Sequence, residues 1–311
     1  MSQPAVVLVG PQRHHPTVVE VVQSLGLSGP YGLVTAGWES REAEEQALRQ
    51  AVGGTWRNLG LFQRHQTLCA QDTALAEALN RRQDKLRALQ SLYRLRLARA
   101  VSAARQLMSL EGDRSLLEPE RADAIEAVRA LDRHHLSRVA AIRRASDLEI
   151  AATPHPLLEQ MRRELKQLVM DVEAVYIAGG HVAVLLNRLR LFDLEAVLRH
   201  KLVITWSAGA MALSELIVLF HDSPPQGPGN AEVLDRGLGL FRGVLPLPHG
   251  SARLNLSDPM RVRLLSARFS DMRPVLLDPT RRLDWVAPNW QTYAGVQLLS
   301  VTGTVENWTS T

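Results

Sequence analysis

The chain has 311 residues, 46% of them hydrophobic, enough for one large α/β domain or two smaller ones and too apolar for global disorder. Its net charge of +4 is modest and its arginines are interspersed with Glu and Asp, which argues against a dedicated nucleic-acid protein. A single cysteine, Cys69, excludes an intrachain disulfide, no apolar run reaches the roughly 20 residues of a membrane span, and the N-terminus lacks the order of a signal peptide, so the expectation is a cytoplasmic protein without a membrane partner.

Residues 5–9 read as a short buried strand ending at Gly10-Pro11, and 16–25 as a helix. A second strand follows at 31–35. Residues 39–51 form a helix with acids in its first turn, where they suit the helix dipole, and 56–61 a third strand. This alternation predicts an α/β fold with a mostly parallel, doubly wound sheet covered on both faces.

The pattern then changes. From 66 to 110 there is no Gly or Pro, and Leu79, Leu86, Tyr93, Ala100 and Leu107 recur every seven residues, as in a long amphipathic helix of coiled-coil periodicity. Glu111-Gly112-Asp113 breaks it. Pro119 suits the first turn of a second helix reaching about residue 149, with Ile125, Val128, Leu131, His135, Val139 and Ile142 on its apolar face. The prediction is an antiparallel helical hairpin at 66–152, inserted between a first part (1–65) and a second part (153–311) of the α/β domain. The hairpin has two readings: a packed insertion that caps the domain or forms a homo-oligomer seam, or a docking arm for another protein. Arg94, Arg96, Arg99 and Arg105 read as a solvated face. His134-His135 reads as a helix-surface pair rather than a metal site. Cys69 reads as a structural thiol, with no base evident beside it. A further helix is expected at 157–170.

The stretch 175–215 carries the chemistry. Apolar runs at 175–178 and 202–205 each end at a special turn, the first at Gly179-Gly180 and the second at Ser207-Ala208-Gly209-Ala210, which leads into a helical pattern. A serine between strand and helix, flanked by tiny residues, has the pattern of a nucleophile elbow. A glycine pair at the end of a neighbouring strand can turn backbone N–H groups toward an oxyanion. The plainer reading of Ser207 alone is a helix N-cap. Beyond it come an apolar helix or strand at 210–220 and a Pro/Gly-rich surface loop at 221–230. Strand runs at 233–240 and 244–247 lead to Pro248-His249-Gly250. A basic amphipathic helix spans 260–270, and short β runs at 275–277, 283–286, 295–301 and 305–308 finish the sheet or form an edge meander.

In Ala178-Gly179-Gly180, in Trp206-Ser207-Ala208-Gly209-Ala210, and in Leu238-Gly239-Leu240 followed by Pro248-His249, the chain resembles peptidase family S51, the serine peptidases that include dipeptidase E and cyanophycinase. That family's fold is like the class I glutamine amidotransferase fold, with serine in place of cysteine. The resemblance covers about residues 171–270 and leaves out the hairpin. It implies hydrolysis of a peptide or amide bond, at acidic residues, with no metal or organic cofactor. Ser207 would be the nucleophile, His249 the general base, and the N–H groups of Gly180 and Ala208 the oxyanion hole. Gly179, His181, Trp206 and Arg253 would contact substrate, Arg253 through a substrate carboxylate. Asp222 is the first choice for the acid that orients His249, ahead of Glu215 and Asp258. The chain departs from the family at Thr205, where a glycine is usual, and at His181-Val182, where Asn or Asp and then Gln are usual; Trp206 is bulky beside the nucleophile. Those departures carry the alternative, a catalytically inactive S51-like scaffold that uses the hairpin for oligomerisation or partner binding.

Overall fold

Four fully buried residues, Val6–Val9 (β1), open the structure, a computed structural model that describes residues 5–12, 16–222 and 229–308. The first half continues through α1 (Val18–Leu25), β2 (Tyr31–Val34), a 3₁₀ turn at Ala36–Arg41, α2 (Gln46–Val52) and β3 (Trp56–Asn58). Then come α3 (Leu61–Gln71), the long helices α4 (Thr73–Ser109) and α5 (Arg114–Ala151), and α6 (Pro156–Met170). The site-bearing segment is β4 (Ala174–Ile177), α7 (Val182–Leu191), α8 (Glu195–Leu198), β5 (Leu202–Trp206) and α9 (Ala208–Leu213). The chain closes with β6 (Ile217–Leu219), β7 (Glu232–Asp235), β8 (Val244–Pro248), α10 (Gly250–Arg253), α11 (Pro259–Arg268), β9 (Arg273–Leu277), β10 (Arg282–Val286), β11 (Asn289–Thr292), β12 (Gln297–Leu299) and β13 (Val305–Asn307).

The main sheet has seven strands in the order β11-β10-β1-β5-β4-β2-β3. β1, β5, β4, β2 and β3 are parallel, while β10 and β11 join antiparallel at one edge. β1, β2 and β4 are buried at every residue, which is why they read as unbroken apolar runs rather than alternating ones. β8 and β9 pair in parallel within a second sheet of order β13-β12-β9-β8. The fold is the expected α/β architecture with a long pair of helices. β11 escaped the sequence reading because its polar NWQT carries no apolar run.

Three helical expectations change. The helix expected at 39–51 is split, because Glu39 turns to φ 57° and the Glu42 side chain is drawn inward. Glu42 accepts from the N–H groups of Phe62 and Gln63, both at 2.9 Å, and so caps α3 from outside. The helix expected to run unbroken through 66–110 is interrupted at Asp72, whose carboxylate accepts from Leu75 N at 2.9 Å and pairs with His155 Nδ1 at 2.6 Å. An interruption made by a capping aspartate leaves no Gly or Pro to mark it. Pro119 lies inside α5 rather than in its first turn, because Asp113 caps the helix further upstream.

α4 and α5 run antiparallel: Arg81 and Arg82, near the start of α4, pair with Glu149 and Asp147, near the end of α5. Tyr93 of α4, Asp132 of α5 and Arg268 of α11 form one buried hydrogen-bonded cluster, with Tyr93 Oη 2.7 Å from both Asp132 Oδ1 and Arg268. His135 corrects the surface-pair expectation: it is buried and stacks on Tyr93, ring centroids 4.1 Å apart. Arg96 and Arg99 are exposed as expected, and Arg94 pairs with Glu232. Of the loop expected at 221–230, residues 223–228 lie outside the described residues. No helix among the described residues is long and apolar enough to cross a membrane.

Candidate active site

Parallel pairing aligns the strand ends. Thr205 of β5 stands beside Ile177 of β4, and Trp206 beside Val9 of β1. Continued past the strands, this register sets Ser207 between Gly179 and Gly10. The approach is close: a Cβ on Gly179 would lie 2.6 Å from Ser207 Cβ and 3.2 Å from Ala208 N, so only glycine fits. Ser207 itself has φ 53° and ψ −126°, a conformation costly for a non-glycine residue and held here by the sharp turn from β5 into α9.

Thr205, at the position where the family has glycine, lies in β5 rather than in the turn. It is fully buried and its hydroxyl donates to Ile177 O at 2.9 Å, tying β5 to β4. The room it takes is supplied by Gly209, where a Cβ would overlap Thr205 Oγ1. Trp206 turns the other way. It is 6% exposed and packs with Val7, Val9, Tyr176 and Ile204 in the core, so its indole does not wall the site as the sequence reading expected.

Gly180 takes φ 106° against Gly37, whose carbonyl accepts from His181 N at 2.7 Å. The N–H groups of Gly180 and Ala208 have no acceptor among the described residues. His181 is exposed and caps α7, its Nδ1 accepting from Val184 N at 3.3 Å.

His249 approaches from the second sheet. Pro248 of β8 stands beside Leu277 of β9, and His249 N donates to Leu277 O at 3.2 Å. The next residue, Asp278, lies against Gly10, where a Cβ would overlap the Asp278 carbonyl. Ser207 thus follows β5 in register with Gly10, Asp278 lies against that same Gly10, and His249 follows β8 beside Leu277. Burial, and then the nearby Arg253 charge, hold the His249 imidazole below its ordinary 6.5; Asp278 opposes them. Among the described residues, neither the Ser207 hydroxyl nor the His249 ring makes a hydrogen bond.

Asp222 is engaged elsewhere. Its carboxylate is held by the Arg261 guanidinium and accepts from Asn255 N at 2.9 Å. Glu215 accepts from Gly243 N at 3.0 Å, and Asp258 caps α11. Asp278, which the sequence reading did not select, is the carboxylate whose charge acts on His249; it accepts from Ser251 N at 3.1 Å and Ser251 Oγ at 2.5 Å. Its only signal was a position just past an apolar run, as His249 is just past another. Arg253 is half-buried, makes no ion pair among the described residues, and sits 6.0 Å from the Phe220 ring. Cys69 does have a base beside it, His65 Nε2 at 3.4 Å. Burial raises the thiol, however, and burial with the Arg188 charge lowers His65 to about 4, so the pair is neutral rather than an activated thiolate–imidazolium.

The sequence model of peptidase family S51 matches residues 135–262, a span holding Gly179-Gly180, Ser207 and His249. The match spans less than half of the chain. No curated protein matches the chain. A crystal structure of a peptidase from an acI-B1 Actinobacterium is similar at a TM-score of 0.46 and 15% identity, over 95% of this chain and 90% of that chain.

Proposed function

We propose that the protein is a serine hydrolase that cleaves a peptide or amide bond through an acyl-enzyme on Ser207. The observation that carries this reading is the strained Ser207 backbone at the β5–α9 turn, with Gly179 pressed against it. A residue is kept in such a conformation when the surrounding fold over-determines it, and the strain then serves to expose the hydroxyl. In the proposed reaction neutral His249 takes the Ser207 proton as the oxygen attacks the substrate carbonyl. The N–H groups of Gly180 and Ala208 receive the oxyanion, a service worth about 10²–10³ in rate per donor. His249 then protonates the leaving amine, and a water deacylates Ser207 by the reverse path. Asp278 orients and stabilises the imidazolium, and Arg253 receives a carboxylate of an acidic substrate. Hydrogen bonds between nucleophile and base are often long in unliganded enzymes and tighten with substrate.

The second reading, an inactive scaffold that assembles through the α4–α5 hairpin, draws on the missing hydrogen bond between Ser207 and His249. Turnover separates the two. Purified protein incubated with aspartyl dipeptides and longer acidic peptides is expected to release amino acids, and Ser207→Ala protein is not; no release by the wild type across the panel favours the scaffold.

The base must be neutral to work, and its pKa in the fold is depressed. The acid limb of kcat/KM is therefore expected at a midpoint below 6.5, activity being lost as pH falls through it. Arg253→Gln removes a charge that lowers His249, so it is expected to move the limb to higher pH. A limb at or above 6.5 in the wild type contradicts the lowered pKa of His249. In the same assay Asp278→Asn is expected to lower kcat by about 10²-fold or more. A larger kcat loss in Asp222→Asn than in Asp278→Asn would return the orienting role to Asp222.

A further inference from the structure

Two adjoining clefts, of about 300 and 310 Å³, share His181, Ala183 and Asn187 on one bank and Gln83 and Arg87 of α4 on the other. The long helix thus walls a groove that starts beside Gly180 and follows α7. The second cleft is also lined by Arg188 and Glu39.

Arg188 is unusual among the arginines turned into this protein. Arg82 pairs with Asp147, Arg143 and Arg190 share Asp235, Arg261 holds Asp222, and Arg268 holds Asp132. Arg188 makes no ion pair, and its Nε is buried with no hydrogen-bond partner among the described residues, a combination that no other described arginine shows. An Nε buried without an acceptor is costly; the guanidinium carbon lies 6.0 Å from the Phe62 ring centroid, and burial first, with the Arg82 charge adding to it, drives the group down to about 10. Cys69, then Glu39 and Glu42, raise it through space, Glu39 from a backbone at φ 57° and ψ −123°. Strain of this kind clusters at ligand sites.

We propose that the groove along α7 is a subsite for a carboxylate of a peptide substrate, received by the Arg188 guanidinium at the end far from Ser207. A planar fork of donors suits a carboxylate, and the ligand would supply the partner that the fold withholds. This deepens the peptidase reading and rests on it, because the groove begins next to the oxyanion glycine. Arg188 lies along α7 from Val182 by about 9 Å of helix axis. An extended peptide covers that in about three residues, so the substrate is longer than a dipeptide.

The test uses the peptide Asp-Ala-Ala-Ala with a free C-terminus and the same peptide as its C-terminal amide. Affinity is measured by calorimetry on full-length Ser207→Ala protein, and kcat/KM on protein with Ser207 intact. The Ser207→Ala protein is expected to bind the free carboxylate at least about tenfold more tightly than the amide. Adding Arg188→Gln is expected to collapse that preference to about onefold, and Arg188→Lys to retain part of it. Ala183→Trp, which fills the groove and leaves Arg188 in place, is expected to collapse it as well. Absence of a preference, or a preference that survives both Arg188→Gln and Ala183→Trp, overturns the subsite. Preference in binding without any turnover by wild type retains the subsite and rejects the hydrolase reading; turnover without preference does the reverse.

Discussion

Replacing Ser207 with alanine is expected to reduce kcat/KM by about 10⁴-fold or more, to the level left by oxyanion donors and binding alone. The stability of the protein should move in a way a plain structural serine would not. Ser207 sits at φ 53° and ψ −126°, which alanine tolerates no better, so Ser207→Ala keeps the strain. Ser207→Gly releases it. Glycine is expected to be inactive yet more stable than alanine at this position by about 1–3 kcal/mol, the usual cost of such a backbone. Urea titration of the two variants, together with their turnover, gives both numbers. A glycine variant less stable than the alanine variant would mean that the turn is not strained, and the argument from the elbow would lose its main support.

The second large effect is on folding. Asp132 of α5 holds Arg268 of α11 through Oδ2–Nε and Oδ1–guanidinium contacts, both 2.7 Å, and takes the Tyr93 hydroxyl of α4 at the same distance. Arg268 also donates to Ala231 O at 2.6 Å, and Tyr93 Oη accepts from Val233 N at 3.2 Å. The cluster thus fastens both long helices to α11 and to the strand β7. Asp132→Ala leaves a buried guanidinium without its anion and is expected to cost about 3–5 kcal/mol. Asp132→Leu with Arg268→Met removes both charges and should cost clearly less than Asp132→Ala, because the penalty belongs to the unpaired charge and not to the lost pair. Denaturant midpoints of the two variants check this. A cost below about 1 kcal/mol for Asp132→Ala would show that the cluster is open to water.

Much of the fold could be read from local pattern. β1, β4 and β5 are short apolar runs leading into Gly or Ser turns, and α4 keeps a seven-residue recurrence, so both stood out. Features made by distant polar contacts did not. Nothing near Asp72 in sequence shows that His155 waits to pair with it, and nothing near Glu42 shows that its carboxylate caps α3. The candidate site divides along the same line. Ser207 and Gly179-Gly180 belong to strand–turn–helix units whose form is local. Asp278 reaches His249 only because β8 and β9 pair in parallel in a second sheet, and that pairing leaves no mark in either strand. Thr205 looked like an obstacle to a tight turn, because the compensating room at Gly209 is a three-dimensional fact. Arg188 was silent for a similar reason: whether an arginine has a partner depends on which elements surround it.

The central claim is that Ser207 is an activated nucleophile. Folded protein treated with a fluorophosphonate probe and measured by intact mass and peptide mapping tests it most directly. The expected result is one adduct on Ser207, absent from Ser207→Ala and suppressed by protonation of His249 at low pH. A folded wild-type protein that takes up no probe on Ser207, at any pH where it stays folded, would contradict it.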